Sequence, residues 1–317
     1  MTRTLGTSGI EVSPIGLGCN NFGRRGTATE DQSGTDAVIH AAIDHGITLF
    51  DTADIYGNPA TTSETLMGVA LAKAGSAARD KVVLATKFGH AMSDDAPPNR
   101  GSREYVRSAI EASLKRLRTD WVDLYQYHRP DGITPVAETL GVLNELVEEG
   151  KVRHVGSSNF DGRMVVEADD LARDRGWARF VSAQNEYSFL KRGAEEELLP
   201  TCERLGIGVL PYFPLASGLL TGKYRRGRPA PAGSRLVTRP EHLTDEAFDR
   251  VEALENYAQE RGATLLDVAI GGLAAMPAIA SVIAGATKPE QVRANAAAGE
   301  WMPDDGDLRA LRAALEA

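Results

Sequence analysis

Cysteine is nearly missing from this 317-residue chain, with Cys19 and Cys202 the only two. Two are too few for a disulfide framework and lack metal-site spacing. The pattern points to a reducing cytoplasm and to no bound metal. Basic charge is scarce too. Against 44 Asp and Glu stand 35 Lys and Arg, leaving a net charge of -9, the reverse of the field a dedicated nucleic-acid binder carries. The basic run from Lys223 to Arg235 is the local exception. Long apolar runs are lacking. Val268 to Gly285 is free of charge, but its Ala and Gly content and Pro277 make it read as a buried helix followed by a strand, with no membrane span. The opening MTRTLGTSGIEVS has no apolar core and is not a signal peptide. Several fingerprints are also missing: no P-loop, no HExxH, no GxSxG. IGLGCNNFG offers Gly16 and Gly18 but places Asn21 where the third glycine of a Rossmann turn belongs. No repeat of solenoid period is present.

What is present is alternation. After a Gly-punctuated opening that reads as a β-hairpin come eight compact apolar runs: SPIGLGC, ITLFDTA, KVVLATK, VDLYQYH, VRHVGSS, FVSAQNE, IGVLPYF and ASVIAGA. Helix-like segments lie between them, among them EYVRSAIEASLKRLR and PVAETLGVLNELVEEG, the latter stopping at Gly150. Eight strands each trailed by a helix predict an α/β fold, a single (β/α)8 TIM barrel over residues 1–317; a doubly wound sheet is the competing architecture. Two connections exceed the roughly two to six residues usual in α/β units. One is FGHAMSDDAPPNRGS and the other runs from Leu215 to about Thr244. Long loops at the C-terminal face of a barrel are where pockets are built.

The strand ends carry the chemistry. LFDTADIYG closes the second run with Asp51, Asp54 and Tyr56; the third closes with Lys87 and the fourth with His128. Each has an ordinary explanation taken singly: a helix cap, a solvated charge, a satisfied rim histidine. In a barrel, though, these ends share one rim. A free tyrosine has a pKa of about 10, and burial raises it. A nearby Lys87 ammonium favours the phenolate, Asp51 holds that lysine charged and oriented, and His128 hydrogen-bonds a substrate oxygen or shares its proton. Such a set suits protonation of an alkoxide formed by hydride addition to a carbonyl.

Over nearly its whole length the chain resembles the aldo-keto reductase superfamily. GITLFDTADIYG, LATKFG and LYQYHRPD are similar to its catalytic segments; VGSSNF, SAQNEYS, LPYFPLASGLLTGKY and VIAGATKPEQVRANAAA are similar to its cofactor segments, in the family's order. The resemblance implies Tyr56 as proton donor, supported by Asp51, Lys87 and His128, and NADPH as cofactor. It implies Ser158, Asn159 and Gln184 at the nicotinamide carboxamide, and Tyr212 stacked on the ring unless it is a plain core aromatic. Phe213, Pro214, Leu215, Ser217, Gly218, Lys223 and Arg235 would wrap the pyrophosphate. Gly285, Thr287, Lys288, Gln291 and Asn295 would hold the adenosine end. Cys19 borders the cofactor or simply packs. The expected substrate pocket is Asn20, Asn21, Phe22, Tyr56, Phe88 and His128, taking a small carbonyl compound in a monomer or small homo-oligomer. Two departures stand out: Phe213 sits where many members have serine, and where many relatives have an arginine near Gln291 that clasps the 2′-phosphate, Lys288 must compensate or the selectivity for NADPH over NADH is softer. Potassium-channel β subunits also resemble the chain. They generally carry asparagine in place of His128, and many have an N-terminal extension not seen here, which favours an enzyme over a redox-sensing regulatory subunit.

Overall fold

The computed structural model describes residues 2–93 and 95–316; Met1, Ala317 and Asp94, which falls in the long loop after Phe88, lie outside them. Strands β1 (Arg3–Thr4) and β2 (Glu11–Val12) form the expected hairpin. Eight parallel strands follow: β3 (Ile15–Gly18), β4 (Leu49–Asp51), β5 (Val83–Phe88), β6 (Val122–Tyr127), β7 (Val152–Ser158), β8 (Phe180–Gln184), β9 (Gly208–Val209) and β10 (Val282–Gly285). Their order is β10-β3-β4-β5-β6-β7-β8-β9. The ring closes between β9 and β10 by parallel bridges Val209–Ile279 and Tyr212–Ile283, with Ile283 N donating to Pro211 O at 2.9 Å. The architecture is the (β/α)8 barrel that the alternation predicts, and each of the eight apolar runs contains one of its strands.

Period-two alternation sorts the side chains. Leu49, Val83, Ala85, Leu124 and Ile283 point inward to a small core that Leu5 and Val12 of the hairpin plug from below. Phe50, Leu84, Phe88, Tyr125 and Tyr127 point outward into the main core under the helices. Continuing the inward row upward places Asp51 above Leu49, Lys87 above Ala85, and Gln126 then His128 above Leu124. The strands therefore deliver polar side chains to the upper barrel by parity alone.

The helices obey local signals. Arg103–Leu117 begins at Ser102, whose hydroxyl accepts from Tyr105 N, and ends at a left-handed Arg118. Val136–Glu148 begins directly after Pro135, with Gly150 at φ 75° turning the chain away. The uncharged stretch from Val268 differs from the expected plain helix, because Val268–Gly272 is wound as a π-helix. Close packing explains its two glycines: a Cβ on Gly271 would lie 2.6 Å from Trp301 O, and one on Gly272 3.1 Å from the Phe189 ring. Among the described residues no helix is long and apolar enough to cross a membrane.

Candidate active site

Three strand ends meet above the barrel core. Lys87 Nζ donates to Asp51 Oδ2 at 2.6 Å and to Thr52 O at 2.8 Å, and lies 3.5 Å from Tyr56 Oη. Asp51 Oδ1 accepts from Gln184 Nε2 at 2.9 Å and Gln126 Nε2 at 3.2 Å. The carboxylate is thus fully engaged, and Lys87 has one direction left, toward the phenol. The turn bearing Tyr56 is pinned as well: Asp54 N donates to Lys87 O at 3.2 Å and Ser63 N to Tyr56 O at 3.1 Å. The Tyr56 and His128 rings meet edge to face with centroids 5.6 Å apart. Tyr56, His128 and Asp51 line one cavity of about 950 Å³.

The charge states follow from burial and neighbours. Burial works against the Lys87 ammonium, but Asp51 and Tyr56 outweigh it and hold its pKa above the usual value. Burial raises the Tyr56 phenol, and Lys87 offsets this only in part because Asp51 opposes it. Lys87 pulls the phenol down as expected, but burial outweighs it and the net shift is upward, so Tyr56 stands protonated. Burial, with Lys87, His90 and Arg129 nearby, pushes His128 well below its ordinary value, so it stands neutral. It offers a hydrogen bond, not an acidic proton. Its Nδ1 is buried without a partner among the described residues. Burial and Asp51 push the Cys19 thiol far up, which leaves it inert.

The same cavity extends from the phenol across the top of the barrel. Asn20, Asn21, Asn159, Tyr212, Phe213, Pro214, Leu215, Ser217, Gly218, Lys223, Arg235, Gly285, Thr287, Gln291 and Asn295 all line it. Tyr212 Oη donates to Asn159 Oδ1 at 2.7 Å, while Asn159 Nδ2 donates to His128 O at 2.9 Å and Ser158 Oγ at 3.2 Å. Phe213, Ala216, Ser217 and Gly218 are all left-handed. Gly218, at φ 98°, holds a conformation that residues with a Cβ rarely adopt. Arg24, Lys223 and Arg235 line the cavity, and none forms an ion pair with a carboxylate among the described residues. Arg235 instead donates to Asn21 Oδ1 at 3.0 Å. The helix Pro289–Ala298 starts at Lys288 with no side-chain cap. Unpaired cations, a left-handed turn and an uncapped helix N-terminus form a donor set for a dinucleotide's phosphates; the residues present fit that cofactor.

Comparison with known proteins bears on this geometry directly. The sequence model of the aldo/keto reductase family matches residues 14–316. The chain belongs to that family. It is 38% identical over 313 residues to an uncharacterised oxidoreductase, YrpG, of Bacillus subtilis (strain 168), covering 97% of this chain and 93% of the relative. It is 38% identical over 314 residues to a probable aldo-keto reductase 1 of Glycine max, covering 97% and 86%. A probable voltage-gated potassium channel subunit beta of Arabidopsis thaliana is 34% identical over 310 residues, covering 95% and 92%. Aldo/keto reductases are oxidoreductases that generally use NAD(P)H with small-molecule substrates.

Within this aldo/keto reductase site, some sequence expectations need correction. Phe22 and Phe88 are fully buried in the main core and do not line the cavity. Phe88 follows inward-facing Lys87, so parity turns it outward, where it stacks on Tyr127 at 5.0 Å. Ser158 is buried and lies behind the cavity wall, beside the lining residues Asn159 and Gln184. Lys288 is exposed at the rim, outside the lining. The sequence reading missed Gln126, although parity with His128 marks it. It also missed Arg24, His90 and Arg129, cavity residues on irregular segments where no periodicity applies.

Proposed function

We propose that this protein is an NADPH-dependent carbonyl reductase that converts an aldehyde or ketone to an alcohol, with Tyr56 as the proton donor. The observation that carries the reading is the chain Asp51–Lys87–Tyr56 opening beside neutral His128 into a long cavity with cationic walls. When bound, the reduced nicotinamide supplies a hydride. The chain's own residues do the rest. His128 and Tyr56 hydrogen-bond the carbonyl oxygen, and Tyr56 Oη gives its proton to that oxygen as negative charge develops there. Lys87 stabilises the phenolate left behind, and Asp51 with Gln126 and Gln184 fixes Lys87 in place. Ser158, Asn159 and Gln184 would hold the carboxamide, Tyr212 would lie against the ring, Lys223 and Arg235 would meet the pyrophosphate, and Thr287, Lys288, Gln291 and Asn295 would meet the adenosine end. An acidic chain with two buried thiols fits a cytoplasmic enzyme with no nucleic-acid partner, acting as a monomer or small homo-oligomer.

A second reading, a cofactor-binding redox sensor, draws on the similarity to a probable potassium-channel subunit. A panel of aldehydes and ketones assayed with each cofactor separates the two. The reductase consumes NADPH in proportion to alcohol formed, and prefers NADPH to NADH by roughly ten- to a hundredfold in affinity through the cations at the adenosine end. Lys288→Ala narrows that gap. Tight NADPH binding with no carbonyl turnover would favour the sensor.

A further inference from the structure

The cavity has basic side chains at both of its ends. Arg24, Lys223 and Arg235 cluster at the phosphate end, where Arg24 and Arg239 lie close enough to Arg235 to depress its pKa after burial. At the catalytic end stand two further basic groups, Arg129 and His90, lining the same cavity. Arg129 follows His128 directly and is exposed. It lies near enough to both His128 and Tyr212 to perturb them. It has no hydrogen bond or ion pair among the described residues. The His90 ring stands 5.4 Å from that of His128. The acidic groups that face this end are already engaged: Asp51 by Lys87, Gln126 and Gln184, and Glu186, beside Tyr212, by Lys191. In a chain of net charge -9, the substrate end of the cavity is locally inverted to positive.

Resting on the reductase reading, we propose that the substrate is a carbonyl compound carrying an anionic group, a carboxylate or a phosphate, gripped by Arg129 and His90 beside the reacting carbonyl. A planar guanidinium with no internal partner presents paired donors to either anion, and low-dielectric walls such as Ile55 and Phe213 strengthen the attraction. A neutral carbonyl of the same shape lacks that contact. Arg129 is then a specificity residue, acting on the part of the substrate remote from the bond that changes.

The test pairs 4-carboxybenzaldehyde with its methyl ester, and 4-formylphenyl phosphate with 4-methoxybenzaldehyde, using the full chain saturated with NADPH. The acid is expected to exceed the ester in kcat/KM by roughly ten- to a hundredfold, mostly through KM. The same ratio within the phosphate pair tells which anion fits better. Arg129→Ala should cut kcat/KM at least tenfold more for the anion than for its neutral partner, with Arg129→Lys intermediate and the Kd of NADPH unmoved. Equal rates for acid and ester, or equal losses in Arg129→Ala, would overturn the anion site while leaving the reductase reading intact. If none of the four reacts, the panel of aldehydes and ketones decides the reductase reading. Calorimetric binding of 4-carboxybenzaldehyde to the NADP+-saturated protein then decides the site alone: binding abolished by Arg129→Ala keeps it, and no binding removes it.

Discussion

Asp54 lies between Asp51 and Tyr56 in the chain, yet it belongs to neither task. It is fully buried, and neither carboxyl oxygen has a partner among the described residues. Burial, with Glu64 nearby, raises its pKa to about 8, against the pull of Arg116 and Lys87; the Tyr105 and Tyr125 phenols face the same carboxyl. The sign follows. An unfolded aspartate titrates near about 3.9, so below that both states hold the proton and stability is unaffected. As pH rises, the unfolded chain releases its proton while the folded one keeps it, and stability falls until about pH 8. Asp54→Asn, a neutral mimic, should flatten this fall and gain on the order of a few kcal/mol at pH 8, read from urea unfolding between pH 5 and 9. An unchanged pH slope would show that Asp54 finds a partner in solution. At this scale Asp51, Lys87 and His128 were legible because each ends an apolar run. Gln126 and the outward turn of Phe88 follow only from strand parity, and the burial of Phe22, on a turn after β3, follows from no local pattern.

Among the elements, the long segment after β9 has an uneven hold on the barrel. Arg226 pairs with Asp249 and with Asp245 and Glu252 at 3.1 and 3.0 Å, and Arg225 pairs with Glu255, fixing its near end to the helix Asp245–Glu260. Leu236 is fully buried, and its amide N donates to Tyr224 Oη at 3.2 Å. Between these anchors, Gly227 to Gly233 is almost entirely exposed. Arg235 crosses the cavity to Asn21 and lies 5.6 Å from the Phe213 ring. We propose that a bound polyanion tightens this segment like a strap. Trypsin should cut after Arg226 and Arg235, since Pro229 and Pro240 protect the bonds after Arg228 and Arg239. NADPH should suppress the cut after Arg235 most. Equal cleavage with and without NADPH would make the strap static. Strands and helices were readable from apolar period and caps. The strap's path was not, because its contacts are ion pairs and one buried leucine with no repeating pattern, and no local signal marks the π-helix at Val268–Gly272.

Across the whole molecule, chain order and spatial order coincide: β3 to β10 run round the barrel in sequence. Residues more than a hundred positions apart, such as Asp51 and Gln184, therefore meet. This is why the family and its reaction class were legible from motifs in order, while the charge of the substrate end was not. The charge proposed there comes from Arg129, next to His128 in the chain, and from His90 on the loop after the neighbouring strand β5, and no periodic pattern in the sequence ties either to the pocket. The central claim is that Tyr56 gives the proton. Tyr56→Phe keeps the ring that packs against His128 and removes only the hydroxyl facing Lys87. With a carbonyl substrate found by the panel, the direct measurement is the single-turnover rate of reduction, alongside the Kd of NADPH from fluorescence titration. The account predicts an unchanged Kd and a rate reduced by at least roughly 10²–10⁴, the span of general acid catalysis. A variant that reduces the same aldehyde within about threefold of the natural protein, far short of that span, would contradict it.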